Sequence, residues 1–109
     1  MDINTFSAYY FVGIGGIGMS ALARYFHALG KSVAGYDRTR KAVTEGLEQL
    51  GIDIHYQDAP GRIAQEFQNP ERTLVVYTPA VPDDHQELAW LISNDFTIVK
   101  RYRALGLIA

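Results

Sequence analysis

Residues 9–20 read Tyr-Tyr-Phe-Val-Gly-Ile-Gly-Gly-Ile-Gly-Met-Ser, and their order decides the fold. The aromatic and aliphatic side chains up to Val12 have the pattern of a buried strand. The chain then passes directly into Gly13-x-Gly15-x-x-Gly18 and on into an amphipathic stretch. A strand, this glycine spacing and a helix, in that order, are the context in which the pattern marks a phosphate-binding turn. The first glycine permits a tight turn off the strand. The second lets backbone approach a phosphate, and the third lets the helix pack closely. Free N–H groups at the helix start, with the positive end of the helix dipole, then make an anion site.

After the glycine turn, Met19, Leu22, Ala23, Phe26 and Leu29 recur at helical spacing and form a buried stripe, with Ser20, Arg24, His27 and Lys31 on the other face. Gly30 stands where a helix end favours a left-handed residue. Ser32–Tyr36 reads as a second strand ending at Asp37. Thr39 is the expected N-cap of a second helix with the stripe Val43, Leu47 and Leu50, closed by Gly51. Ile52–Tyr56 reads as a short third strand. The polar stretch 57–73, broken by Pro60, Gly61 and Pro70, leaves room for one short helix over Arg62–Phe67. Leu74-Val75-Val76-Tyr77 is a continuous apolar run of the kind buried on both faces of a parallel sheet. Thr78-Pro79-Ala80-Val81-Pro82 must be a loop, since two close prolines do not fit a central strand. Asp84 with Glu87 resembles a capping box before a helix carrying Leu88, Leu91 and Ile92. Thr97–Lys100 makes a fifth strand, and a last helix begins at Tyr102.

Strands alternating with helices predict an α/β fold: a Rossmann-like three-layer domain over 1–109, with a five-stranded parallel sheet of order 3-2-1-4-5. Ligands of such sheets sit beyond the carboxyl ends of the strands, where the strand order reverses. That rule brings Gly15–Gly18, Asp37, the 57–60 turn and Thr78–Ala80 to one crevice.

The 109-residue chain carries a net charge of −2, which argues against a nucleic-acid surface. Lacking cysteine, it has no disulfides or thiolate metal sites, which fits a cytoplasmic setting. No apolar run approaches the roughly 20 residues of a membrane span, and Met1-Asp2-Ile3-Asn4 does not start like a signal peptide. Leu107-Ile108-Ala109 stops inside the last helix, as a piece of something longer would.

Asp37 follows Gly18 by 19 positions. It has two readings: an acceptor for ribose hydroxyls, or a cap for the helix near Thr39. Arg38, Arg40 and Lys41 read as a solvated helix start, with a contact to a 2′-phosphate as the alternative. Gly30-Lys31-Ser32 mimics the end of an ATP-binding P-loop but fails. The first glycine of that motif would fall at Tyr25, and the segment leads from helix into strand. His27, His55 and His85 lack metal-ligand spacing and any carboxylate partner near in sequence. Thr78 either donates to a ligand or only satisfies its turn. No nucleophile–base pair stands out, so the expected role is binding, with no catalytic residue, metal or cofactor in this domain.

Beyond the bare fingerprint, Phe11-Val12-Gly13-Ile14-Gly15-Gly16-Ile17-Gly18-Met19-Ser20, Gly35-Tyr36-Asp37, Val75-Val76-Tyr77-Thr78-Pro79-Ala80-Val81 and Lys100-Arg101 before Leu105 resemble the N-terminal domain of the Mur ligase family. The likeness is to the branch that joins L-alanine to UDP-N-acetylmuramate, and runs from about Tyr10 onward. It implies a three-domain cytoplasmic enzyme of peptidoglycan synthesis, driven by ATP and Mg²⁺ through an acyl phosphate. The N-terminal domain would hold the UDP part of the substrate, with ATP in a central domain and the amino acid aided by a C-terminal domain, both absent here. By the same resemblance Gly15, Gly16, Ile17, Gly18, Met19 and Ser20 would cradle the diphosphate. Asp37 would face the uridine end, and Thr78, Pro79, Ala80, Val81 and Arg101 would complete the rim. The chain departs from the commoner pattern at Tyr36, at Thr78-Pro79, and at Asp58, where relatives often carry histidine, which leaves the uracil contacts of that turn open. An NAD(P)-binding dehydrogenase domain and a non-enzymatic nucleotide-sensing module share the fingerprint and remain the alternatives.

Overall fold

The computed structural model describes residues 2–108; the two end positions of the domain expected over 1–109 lie outside the described residues. Five strands, β1 (Ala8–Val12), β2 (Ser32–Tyr36), β3 (Asp53–His55), β4 (Thr73–Tyr77) and β5 (Thr97–Lys100), pair in the order β3-β2-β1-β4-β5. Every pairing is parallel. The predicted sheet order is the observed one.

Four helices connect or follow the strands: α1 (Ile17–Ala28), α2 (Ala42–Gln49), α3 (Gln86–Ser93) and α4 (Arg101–Ile108). One core layer packs Tyr9, Phe11, Leu74 and Val76 against Met19, Leu22, Ala23 and Phe26 of α1, Leu47 of α2 and Ala104 of α4. The other packs Tyr10, Val12, Tyr36 and Val75 against Ile63, Phe67, Leu91 of α3 and Phe96. Side chains alternate between sheet faces along a strand, so a sheet covered on both sides needs apolar residues throughout. β1 meets this with five buried residues in a row.

The β1–β2 interface is tight at one point. A Cβ on Gly35 would lie 2.5 Å from the Phe11 carbonyl oxygen and 2.9 Å from Ile14 Cδ1. Only glycine fits there without moving backbone.

Several local expectations change. Leu29 is exposed, because it caps the end of α1 and has turned off the buried stripe; Gly30 follows with a positive φ, as its position predicted. α2 begins at Ala42 with Lys41 at the N-cap, not Thr39. Its buried face is Thr44 and Leu47, whereas Val43 and Leu50 are exposed. The single helix expected near 62–67 is instead two one-turn 3₁₀ segments, Pro60–Arg62 and Gln65–Phe67. α3 is capped by His85, whose side chain accepts the Leu88 N–H, and not by Asp84. Ile92 is exposed and Glu87 is fully buried, the reverse of the expected pattern. α4 starts one residue early, at Arg101.

Register fixes where the site lies. Val12 stands beside Tyr36 and Tyr77, Tyr36 beside His55, and Tyr77 beside Lys100. The five strands therefore end level, and the residues that follow them emerge on one rim.

Candidate functional site

An open crevice of about 430 Å³ lies on this rim, over the ends of β1, β2 and β4. Gly13 and Gly16 form its floor, and Thr78, Ala80 and Val81 one side. Asp37, Arg38, Thr39 and Lys41 line the β2 side, and Tyr36, Asp58, Pro82 and His85 close the far end. All four segments expected to converge contribute: Gly16 from the glycine turn, Asp37, Asp58 from the 57–60 turn, and Thr78 and Ala80.

The glycine turn is built from backbone. Gly13 and Ile14 both donate their N–H to the Tyr36 carbonyl at 2.9 Å, which ties the end of β1 to β2. Gly13 has φ +88, and a Cβ there would lie 2.5 Å from Thr78 Cγ2. The Gly16 N–H donates to the Gly13 carbonyl at 3.2 Å, closing the turn, and Gly16 becomes the N-cap of α1. The first intrahelical bond runs from Ser20 N–H to the Gly16 carbonyl at 2.8 Å. The amides of Ile17, Gly18 and Met19 thus have no partner within the helix. No acidic side chain occupies this first turn to offset the helix dipole.

The individual site residues fall into distinct places. The Met19 side chain is buried in the core, so only its backbone can face a ligand. The Ser20 hydroxyl donates to the Ile17 carbonyl at 3.0 Å. Ile17 points its side chain into solvent at 91 % exposure. Asp37 accepts the Gly15 N–H at 2.6 Å and the Thr39 N–H at 3.1 Å, with Lys41 Nζ at 3.8 Å. It therefore braces the glycine turn from β2 and does not cap α2. Thr78 Oγ1 accepts from the Ala80 N–H at 3.5 Å, and Pro79 is exposed on the loop without lining the crevice. Arg101 packs on Gly18, where a Cβ would meet its Nη1 at 2.5 Å and its Cδ at 2.8 Å. The third glycine thus admits a guanidinium from α4 to the start of α1.

Two carboxylate–imidazole contacts escape a reading of sequence alone. His55 Nε2 lies 2.5 Å from Glu87 Oε2, and His85 Nδ1 lies 3.3 Å from Asp58 Oδ1. In both, the partner comes from another element, so local spacing carried no sign of it. The position of Asp58 just beyond β3 was the one available hint. Burial, then the neighbouring Glu87 carboxylate, pushes the Tyr10 phenol far above its usual range. Burial also raises the Tyr36 phenol at the crevice wall, where its ring meets His85 edge-on at 4.8 Å.

Among the described residues no three His, Cys, Asp or Glu side chains gather as a metal site. Lys31, in the false P-loop, donates to the carbonyls of Asn4 and Phe6 at 3.0 and 2.9 Å and serves the fold. No described helix is long and apolar enough to cross a membrane.

The likeness to known proteins runs over nearly the whole chain. Residues 8–109 match the family described as Mur ligase family, catalytic domain. The UDP-N-acetylmuramate–L-alanine ligase of Parabacteroides distasonis is 56% identical over 106 residues, 97% of this chain and 23% of the relative. Its counterpart in Phocaeicola vulgatus is 52% identical over 108 residues, 99% of this chain and 24% of the relative. The crystal structure of the UDP-N-acetylmuramate–alanine ligase of Thermotoga maritima superposes with a TM-score of 0.79 at 34% identity, covering 90% of this chain and 21% of that one. The chain thus spans about a quarter of the length of the relatives it matches. Dehydrogenase domains and nucleotide sensors share the glycine fingerprint, and the match across nearly the whole sequence chooses among them: this chain belongs to the Mur ligase family.

Proposed function

We propose that the chain is the UDP-binding domain of a UDP-N-acetylmuramate–L-alanine ligase, acting in cytoplasmic peptidoglycan synthesis. The observation that carries this reading is the run of amides at the start of α1 left without a partner in the helix, which follows directly on Gly16 of the crevice floor. Backbone N–H groups at a helix N-terminus suit a diphosphate, and the dipole adds to the attraction. Arg38 and Lys41 on one wall add positive charge. The diphosphate lies along Gly16, Ile17, Gly18, Met19 and Ser20, and Gly15 keeps the turn in shape through Asp37. The uridine extends toward Asp37 and the Tyr36–His85 wall, and Thr78, Ala80 and Arg101 border the sugar side, with Pro79 shaping their loop from outside the crevice.

The relatives' names support the substrate and the reaction, which joins L-alanine to UDP-N-acetylmuramate. ATP and Mg²⁺ belong to the longer ligase. On this reading no step through those groups falls to this chain. Its own work is to bind and orient the UDP sugar, and alone it forms no amide bond.

The test is titration of the isotopically labelled chain with UDP-N-acetylmuramate and, separately, NADH. Amide signals of Gly16–Ser20 and Asp37 are expected to shift with the first and stay with the second; the opposite pattern overturns the reading. A Gly16→Val variant is expected to stay folded, since an added Cβ meets nothing closer than Met19 Cγ at 3.5 Å. Its larger side chain crowds the diphosphate and weakens binding at least about tenfold.

A further inference from the structure

The turn after β3 and the start of α3 hold each other by their carboxylates. Asp58 reaches across to accept the N–H groups of Gln86 and Glu87, both at 2.9 Å, so α3 is capped by a residue from another element. Glu87 reaches back. Its Oε2 accepts the Ala59 N–H at 3.2 Å and lies 2.5 Å from His55 Nε2, while its Oε1 accepts the Tyr10 hydroxyl at 2.5 Å. Glu87 is fully buried.

Removing a carboxylate from water is costly unless donors replace the lost hydration. A phenol, an imidazole and a peptide N–H supply them here. Stability alone does not call for this arrangement, since apolar residues of similar volume often do as well in such places. What it provides is position. The two segments it joins deliver Asp58, Pro82 and His85 to the far end of the crevice. The clasp also fixes the His85 ring, whose Nδ1 takes the Leu88 N–H at 3.3 Å beside Asp58 and whose Nε2 is buried without a protein partner.

The geometry points to Glu87 as a positioning residue for the nucleoside end of the crevice, acting reciprocally with Asp58. The two carboxylates make residues 57–60 and 82–87 one unit, so the wall meets its ligand already formed. This rests on the proposed function for the ligand, but not for the clasp itself.

The experiment compares the 109-residue chain with its Glu87→Gln, Asp58→Asn and doubly substituted forms. Glutamine leaves one acceptor oxygen where the clasp uses two. Without ligand, each single substitution is expected to speed hydrogen exchange at Ala59, Gln86 and Glu87 alike, because either carboxylate holds both segments. Affinity for UDP-N-acetylmuramate is expected to fall about tenfold in each, and in the double form little further, the mark of coupled residues. Shifts caused by inorganic pyrophosphate at Gly16–Ser20 are expected to persist, which mere damage to the fold would not allow. Faster exchange confined to the substituted residue's own partner amides, or equal loss of UDP sugar and pyrophosphate, overturns the proposal. If Glu87→Gln does not fold, Asp58→Asn decides by the same exchange pattern. If the unsubstituted chain ignores the UDP sugar, the functional reading fails and the exchange result still judges the clasp.

Discussion

Gly15 and Gly16 are neighbours with opposite tolerance for a side chain, and the difference divides their roles. A Cβ on Gly15 would lie 2.5 Å from Asp37 Oδ2, 2.8 Å from Lys41 Cε and 2.9 Å from Thr44 Cγ2. Gly15 is therefore required by the protein's own packing, and its N–H is spent on Asp37. A Cβ on Gly16 would make only ordinary contacts, the nearest Met19 Cγ at 3.5 Å, so its bareness matters to what approaches from the crevice. Gly15→Ala is expected to destabilise the chain by about 1–3 kcal/mol, as overpacking does, and Gly16→Ala by less than about 1 kcal/mol. Urea denaturation of the two variants checks this; equal midpoints would show that the turn relaxes freely. The need for glycine was legible in the sequence because a tight turn is a local demand. That Asp37 is the brace was not, because its bond to Gly15 joins strands that meet only in the sheet.

At the scale of elements, strands and the first helix followed from periodicity, while the starts of α2 and α3 did not. Helix starts are set by caps, and a cap read from sequence assumes the nearest polar residue does the work. For α3 the work is done by Asp58 from across the crevice and by His85, which left Asp84 idle and freed Glu87 for burial. For α2 the N-cap position falls to Lys41, whose side chain cannot accept a hydrogen bond. The helix compensates from its third position: Thr44 Oγ1 accepts the Lys41 N–H at 2.9 Å. A Lys41→Ser substitution supplies the missing acceptor and gives up a long contact, 3.8 Å from Nζ to the buried Asp37 carboxylate, which keeps its two backbone N–H donors. It is expected to stabilise the chain by about 1 kcal/mol, raising the thermal midpoint by a few degrees. An unchanged or lower midpoint would mean that Lys41 contributes more through Asp37 than its geometry suggests.

Across the whole molecule, the doubly covered sheet was readable because a parallel sheet of this order demands unbroken apolar strands. What the apolar count concealed is that the central strand buries two phenols on opposite faces. Tyr9 stacks on Phe26 at 3.9 Å and donates to the Ile3 carbonyl at 2.5 Å, binding the N-terminal turn to one layer. Tyr10 donates to Glu87 and binds α3 to the other. Burial first, then the charge of Asp2, pushes the Tyr9 phenol up to about 12, and Tyr10 is pushed higher still. In the unfolded chain both lose their protons near pH 10. Below that pH both states keep the protons and these groups add no pH dependence. Above it the unfolded chain releases protons that the folded chain retains, so stability must fall as pH rises. The urea midpoint is therefore expected to decline from about pH 10 upward. Tyr9→Phe should make that decline shallower, because one of the retained protons is gone. Tyr10→Phe should do the same but lower stability already at neutral pH, since it leaves the fully buried Glu87 carboxylate one donor short. Tyrosine absorbance followed against pH, beside the urea midpoint, checks both. Phenols that titrate together at their ordinary value while the fold persists would mean that the central strand is open to solvent, and the two-layer core described here would have to be abandoned.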